Sequence, residues 1–392
     1  MDSQDSSLRP SQSLHSPLAT PKATIETLQA FGLYTKKRLG QHFLIDDNVI
    51  ARILNAADLN ADDQVLEIGP GIGVLTVALL SRVEKVLALE YDAQLIEVLE
   101  YATQEYALQS DGDVSQADGR KLQAGGVSQA DRGISQAGNK LTILHEDALN
   151  IPQLDLPLHP TKLVANLPYQ VAATNVLDCF EYIPSIQQAT VMVQKEVAQR
   201  MAAKPGTKAY GAYSAKLQLL ANPVGSFDVS RNSFLPPPRV DSSVITLVRH
   251  DADDVESTES VGGIGDTKRA ESAGGSLISG TEHYRELARL IDASFAQRRK
   301  TILNNLKAAM AAGLLVFPGG DDDEDRCTGE GVCTGTDRDK NEESHEHRPK
   351  YEPDLAEVLL RADIQPAARA ETLSPADFVR LHRVFRLTQP EQ

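Results

Sequence analysis

The stretch Val65–Leu80, VLEIGPGIGVLTVALL, decides the fold of this chain. Val65-Leu66-Glu67-Ile68 reads as a short apolar strand, Gly69-Pro70-Gly71-Ile72-Gly73 as a turn, and the apolar run from Val74 as a buried helix. Glycines are needed where a backbone turns sharply from strand to helix and approaches a ligand with no Cβ atoms in the way. The spacing is G-x-G-x-G, which departs from the G-x-G-x-x-G of dinucleotide-binding folds.

The same alternation continues on both sides. Asp46 or Asp47 can cap a helix with Val49, Ile50, Ile53 and Leu54 on one face. Val86–Leu89 is a second strand, and Asp92 opens an amphipathic helix carrying Leu95, Val98, Leu99 and Ala102. Leu141–Leu144, Leu163–Ala165 and Thr190–Val193 are further short apolar strands, with helical patterns between the last of them. Apolar strands alternating with helices predict an α/β fold around a parallel sheet. Val240–Val248, after a proline cluster, alternates like a final strand or hairpin arm. From Glu282 the pattern turns helical through Leu287, Leu290, Ile291, Phe295, Ile302, Leu303 and Leu306, with further helices over Asp354–Arg361 and Pro375–Phe385. The expected organisation is a sheet domain over 22–250 and a small all-helical domain over 281–388.

The remaining segments lack hydrophobic periodicity. Residues 1–21 read as a disordered Ser/Pro tail with neither the apolar core nor the cleavage pattern of a signal peptide, which predicts a cytoplasmic protein. Residues 109–140 carry a short repeat, VSQAD at Val114–Asp118 and at Val127–Asp131 and ISQAG at Ile134–Gly138, and read as a solvated insertion. Residues 251–280 form an acidic linker and 318–350 an acidic insertion. The first holds seven acids against two bases and the second eleven against five, so they account for −11 of the net charge of −16. The rest of the chain is only mildly acidic, and a local basic face remains compatible with it. Cys179, Cys327 and Cys333 are too few for a disulfide framework, and the gap between the last two matches no common zinc spacing, so no metal is expected. No run approaches the ~18 apolar residues of a membrane span.

Two acids follow the glycine turn in successive units. Glu90 ends the second strand, where a carboxylate can accept from both hydroxyls of a ribose. Asp147 follows the third, in Glu146-Asp147-Ala148, where it can accept from an adenine amine. Each alone is an ordinary surface acid. In this order they point to an adenosyl cofactor. Asn166-Leu167-Pro168-Tyr169 comes directly after the fourth strand. An adenine amine is a poor nucleophile, because its lone pair is delocalised into the ring. The Asn166 amide oxygen and the Leu167 carbonyl can accept its two hydrogens and turn the lone pair toward an electrophilic methyl group. Pro168 fixes the backbone and Tyr169 can stack on the base, a contact worth ~1–3 kcal/mol.

With these motifs in hand, the chain resembles the small-subunit (16S) ribosomal RNA adenine dimethyltransferases of the KsgA type, relatives of the Erm-type large-subunit enzymes. The resemblance rests on Lys37–Leu44 (KRLGQHFL), Glu67–Gly73, Glu90-Tyr91-Asp92, Glu146-Asp147-Ala148 and Asn166–Tyr169, then on Gln194–Val197 (QKEV), Phe234–Ser242 (FLPPPRVDS) and Phe295–Lys300 (FAQRRK). It implies a Rossmann-like S-adenosylmethionine-dependent methyltransferase sheet followed by a helical RNA-binding domain. The implied reaction is N6,N6-dimethylation of two adjacent adenosines in a loop near the 3′ end of small-subunit rRNA, on the immature small ribosomal subunit, by a monomer. By the same resemblance His42 and Leu44 line the cofactor pocket with Gly69, Glu90, Asp147 and Asn166, and Phe234 covers the second face of the target base. Many relatives have Asn at the place of His42, which leaves open whether its side chain or its backbone makes the contact. Lys36, Lys37, Arg38, Arg239, Arg298, Arg299 and Lys300 are the expected phosphate-gripping cations. Competing readings are an Erm-type enzyme, a non-catalytic nucleic-acid-binding relative and a DNA adenine methyltransferase. The FLPPPRVDSSV segment, the intact acidic and Asn166 positions, and Asn-Leu-Pro-Tyr in place of Asp-Pro-Pro-Tyr respectively weigh against them.

Overall fold

The computed structural model describes residues 15–33, 42–107, 133–250, 281–315 and 354–387. These divide into two compact units, one from residues 1–203 and 216–281, the other from 204–215 and 282–392. The single boundary expected between 250 and 281 is thus not the whole story, since the twelve residues 204–215 belong with the helical unit.

The first unit is built on an eight-stranded sheet. Its strands are β2 (Gln64–Ile68), β3 (Lys85–Glu90), β4 (Ile134–Ala137), β5 (Leu141–His145), β6 (Lys162–Asn166), β7 (Gln188–Gln194), β8 (Ala221–Val229) and β10 (Ser242–Arg249). Their spatial order is β4-β5-β3-β2-β6-β7-β10-β8. The five central strands β5, β3, β2, β6 and β7 run parallel, while β10 pairs antiparallel with both β7 and β8. The helices are α1 (Pro21–Ala30), α2 (Asp47–Ala57), α3 (Val74–Leu80), α4 (Ala93–Ala107), α5 (Ala172–Tyr182), α6 (Lys195–Met201) and α7 (Ala212–Leu217), the last crossing into the second unit. One sheet face, with Val65, Val86, Ala88, Ile143 and Val164, shares a core with residues of α2, α3 and α4. All seven residues of α3 are buried, its six apolar residues and Thr76 between them. Helix α2 starts where the sequence places it, with the Asp46 carboxylate accepting from Asn48 N at 3.1 Å. At its other end Lys162, paired with Asp63 at 3.0 Å, donates to the orphan carbonyls of Ala57 and Asp58.

A two-stranded ribbon outside the main sheet shapes the site. It joins β1 (Phe43–Leu44) to β9 (Phe234–Leu235) with Leu44 opposite Phe234. The ribbon brings the segment before α2 against the proline-rich segment 190 residues later.

Two expectations about irregular segments are corrected. Residues 15–21 of the expected tail are packed on the first unit: the N–H groups of His15 and Ser16 donate to the Asp47 carboxylate, and Ser16 and Ala19 are buried. The insertion ends before residue 134, because Ile134–Ala137 pairs antiparallel with β5 and takes its backbone hydrogen bonds from the ladder rather than from water. The two VSQAD copies, residues 1–14, the linker 251–280, the acidic insertion with Cys327 and Cys333, and Lys36, Lys37 and Arg38 lie outside the described residues.

The second unit holds α8 (Thr281–Phe295), α9 (Ile302–Ala311), α10 (Leu355–Arg361) and α11 (Pro375–Leu387). Phe295 packs against Phe378 at 5.9 Å and against the buried Tyr210 at 6.2 Å, which explains why 204–215 joins this unit. Gly206 N also donates to Glu371 O at 2.7 Å. Among the described residues no helix is long and apolar enough to cross a membrane.

Candidate active site

Parallel strands leave their carboxyl ends on one edge, where the turns that follow can converge on a ligand. At this edge lies a cavity of about 290 Å³, close to the lower bound of ~300 Å³ typical of small-molecule pockets. Its wall includes Ile68 and the glycine turn after β2, Glu90 at the end of β3, Asp147 after β5, and Asn166–Tyr169 after β6. His42, Phe43 and Leu44 close it from the β1 side.

The glycines are there for space as well as for conformation. Gly69 has φ +67°, and a Cβ on it would sit 3.3 Å from the Pro168 ring; Gly71 has φ +61°, and a Cβ there would meet the Phe43 ring at 3.2 Å. The glycine turn therefore lies directly against both the Asn-Leu-Pro-Tyr loop and the β1 ribbon.

Glu90 is 6% exposed, and each oxygen already accepts a backbone N–H, Asp92 N at 2.9 Å and Gly71 N at 3.2 Å. Burial raises its carboxyl above the usual range, opposed by those two bonds. A carboxylate has about four lone-pair positions, so two acceptor sites remain for a pair of hydroxyls. Asp147 caps the 3-10 turn Ala148–Gln153, accepting from Leu149 N at 2.9 Å through one oxygen. Asn166 Nδ2 makes a long 3.4 Å contact with His42 O, which fixes the amide orientation and leaves the amide oxygen on the other side. Leu167 is buried, its N–H donating to Met192 O at 3.0 Å. The half-buried Tyr169 shares a 2.7 Å hydrogen bond with Ser242 Oγ, and burial raises its phenol.

Three placements differ from the reading of the sequence. Phe234 is 1% exposed, belongs to the hydrophobic core, and does not line the cavity. Pairing with Leu44 across the ribbon draws it inward. The aromatic ring that faces Tyr169 is instead His42, stacked at 5.8 Å with 28° between the planes. The basic run 298–300, expected to grip phosphates, lies in the turn between α8 and α9. Within it Arg298 is committed to Glu371 at 3.0 Å and to Lys208 O at 2.7 Å, while Arg299, Lys300 and, in the first unit, Arg239 are exposed.

Glu67, to which the sequence reading gave no role, also lines the cavity. It is fully buried, Oε2 has no hydrogen-bond partner, and its carboxyl is pushed up to about 8 by burial and by the neighbouring Glu90 charge, against Thr76. The folded chain holds this proton more tightly than the unfolded chain, whose Glu has an ordinary value near 4.5. Stability from this group is therefore complete below about pH 4.5 and declines as pH rises toward 8. Glu67→Gln stays neutral throughout. Relative to wild type it should gain about 2–3 kcal/mol of stability between pH 5 and 7, given ~1.4 kcal/mol per unit. Parallel urea titrations at the two pH values measure this, and an equal loss in both proteins would show Glu67 to be ionised in the fold.

This is the sheet of a Rossmann-like methyltransferase. The family profile described as ribosomal RNA adenine dimethylase matches residues 32–261. The ribosomal RNA small subunit methyltransferase A of Corynebacterium diphtheriae is 34% identical over 349 residues, 89% of this chain and 88% of its own length. The protein of the same name from Streptomyces griseus is 37% identical over 281 residues, 71% of this chain and 79% of its own. Among solved structures, a dimethyladenosine transferase from Plasmodium falciparum covers 87% of this chain and 96% of its own, with a TM-score of 0.53 at 22% identity. The 23S rRNA methyltransferase ErmE covers 88% and 99%, with a TM-score of 0.50 at 20% identity. The chain belongs to the ribosomal RNA adenine dimethylase family.

Proposed function

We propose that the protein uses S-adenosylmethionine to dimethylate N6 of two adjacent adenosines in a loop near the 3′ end of small-subunit rRNA, acting as a cytoplasmic monomer on the immature subunit. One observation carries this reading: Asn166–Tyr169 and the acids Glu90 and Asp147 line one cavity beside the glycine turn. The unspent acceptor positions of Glu90, the second oxygen of Asp147 and the space left by Gly69 and Gly71 fit an adenosyl group. Glu90 would hold the ribose hydroxyls, Asp147 the adenine amine, and Gly69, Leu44 and the His42 backbone the remainder. S-adenosylmethionine supplies an electrophilic methyl on a sulfonium.

The chain's own part is positioning. A target adenine must come from an unpaired element, because duplex RNA hides its bases in a deep, narrow groove. Tyr169 stacks on it, and Asn166 Oδ1 and the Leu167 carbonyl accept the amine hydrogens. These contacts would direct the nitrogen lone pair at the sulfonium methyl, so that the N–C bond would form as the S–C bond breaks, S-adenosylhomocysteine would leave, and the proton of the cationic nitrogen would pass to solvent. No strong base is needed when reactants are held in line. Incubating the protein with undermethylated small subunits and methyl-labelled S-adenosylmethionine, then mapping stops by primer extension, tests the proposal. Label in large-subunit RNA would favour the Erm-type alternative, and no label anywhere would refute methyl transfer to RNA.

Phosphate contacts fall to the exposed cations Arg239, Arg299 and Lys300, and to Lys36, Lys37 and Arg38. Each lost contact to a single-stranded element should flatten the slope of log affinity against log salt by ~0.7. Changing both Arg299 and Lys300 to Ala should therefore reduce the slope for small-subunit binding by about 1.4 and leave cofactor affinity unchanged. Arg298→Ala should instead act mainly on the stability of the helical unit, since it removes the bonds to Glu371 and Lys208. Filter binding over a salt series decides it; an unaltered slope returns the pair to a solvated turn.

A further inference from the structure

We infer that Asn175 is a specificity-determining residue of the cofactor site: its side-chain amide reads one edge of the adenine, accepting from the exocyclic amine and donating to ring nitrogen N7. The inference rests on the proposed adenosyl cofactor and adds a contact that Asp147 cannot make.

Asn175 stands out by what it lacks. Helix α5 buries Ala172, Asn175, Val176, Cys179 and Phe180, and Asn175 is the one strongly polar side chain among them. It is 0% exposed, and neither Oδ1 nor Nδ2 has a hydrogen-bond partner among the described residues. Its backbone is committed to the helix, the N–H donating to Val171 O at 2.9 Å. A leucine would fill much the same space without stranding a donor and an acceptor, and a buried amide with no partner is destabilising. Such a group calls for a partner that the chain itself does not supply.

The surroundings say what that partner is. Asn175 lines the cavity together with Val171, one turn earlier on the same face of α5. Helix α5 packs on the 3-10 turn Ala148–Gln153, and Asp147, Ala148 and Leu149 at the start of that turn line the same cavity. Asn175 therefore belongs to the end of the cavity where Asp147 would take the adenine amine. That amine has two hydrogens. One would go to the unspent oxygen of Asp147, and the other lies beside N7, an acceptor. An asparagine amide presents a carbonyl and an N–H side by side, the complement of this donor–acceptor pair. A carboxylate offers acceptors only and cannot meet N7. A 6-oxo purine would leave the amide oxygen without a donor. The amide is closed to solvent, so the base reaches it once the side chains over it part slightly. Leu149, exposed on the turn that packs on α5, is free to make that shift.

Calorimetry on the full chain should compare S-adenosylhomocysteine with its 7-deaza analogue, in which C–H replaces N7. Wild type should bind the analogue about tenfold more weakly, the effect of one lost hydrogen bond and its stranded donor. Asn175→Leu should bind S-adenosylhomocysteine about tenfold more weakly or worse, and should no longer distinguish the two ligands. Removing a stranded amide from the interior should also raise the Tm measured without ligand, while the further rise on adding S-adenosylhomocysteine shrinks. A packing role alone would lower that Tm and leave the ligand preference intact. Equal binding of the two ligands by wild type would overturn the inference, and that result needs no variant to fold. So would a preference that survives in Asn175→Leu, since another group would then be reading N7. If wild type binds no S-adenosylhomocysteine at all, the proposed cofactor fails and the role of Asn175 goes with it; binding without a preference between the ligands removes Asn175 alone.

Discussion

Asn166→Ala should fold normally and lose most of its turnover. In the free protein the Asn166 side chain makes only a long 3.4 Å contact, to His42 O, and sits at the open end of β6, so truncation leaves no strongly bonded partner stranded. Loss of one positioned group aimed at charge that develops in a transition state typically costs ~10²–10³ in kcat. In the proposed mechanism the Asn166 oxygen would be such a group, because the amine hydrogens become more acidic as nitrogen attacks the sulfonium methyl. The Leu167 carbonyl remains and bounds the loss. Since Asn166 also borders the cofactor end of the cavity, a modest fall in cofactor affinity should accompany the change, much smaller than the fall in kcat. Single-turnover methylation at saturating S-adenosylmethionine and subunit isolates the step. A normal rate there would sink the positioning mechanism.

The features that could be read from the sequence are those whose physics is local. Apolar runs bounded by a glycine turn or an acidic cap specify β2, α3, β3 and α2, and each is found where its residues predict. The acids Glu90 and Asp147 and the Asn166 loop fall at strand ends because the strands themselves could be recognised, and the cavity then gathers them. What escaped depends on partners remote in sequence. Strand β8 is mostly solvent-facing and contains Pro223 and Gly225, so it reads as a loop until the β10 ladder holds it. The two-residue strands β1 and β9 are too short for any periodicity, yet their pairing buries Phe234 and leaves His42 facing Tyr169. Strand β4 has little apolar content and exists because β5 offers it an edge. Glu67 gave one faint signal, an acid inside an otherwise apolar strand. Only burial of the whole carboxyl distinguishes it from the ordinary alternation of a strand with one wet face.

Glu90→Ala should weaken cofactor binding more than any other single change in the cavity. A hydrogen bond to a charged group is worth ~1.5–3 kcal/mol, so two ribose hydroxyls sharing one carboxylate put ~3–6 kcal/mol at stake, or roughly 10²–10⁴ in affinity. The same truncation strips the acceptor from Gly71 N and Asp92 N. Those bonds tie the glycine turn and the start of the following segment to the end of β3, so their loss should loosen the loop that the ligand must meet. Glu90→Gln separates the two effects. It retains one oxygen and the side-chain shape, and should keep one of the two backbone bonds that tie the loop while losing the other, the acceptor positions of that oxygen and the charge. It should therefore fall between wild type and Ala in affinity. Removing the Glu90 charge also removes one of the two causes that raise the Glu67 carboxyl, so in both variants Glu67 should titrate lower than about 8. Calorimetry with S-adenosylhomocysteine measures the affinities, and thermal melts without ligand report the loop and the fold. Affinity for the Ala variant within about twofold of wild type would reduce Glu90 to a buried brace for the glycine turn. The ribose would then have to be held elsewhere on the edge of the sheet.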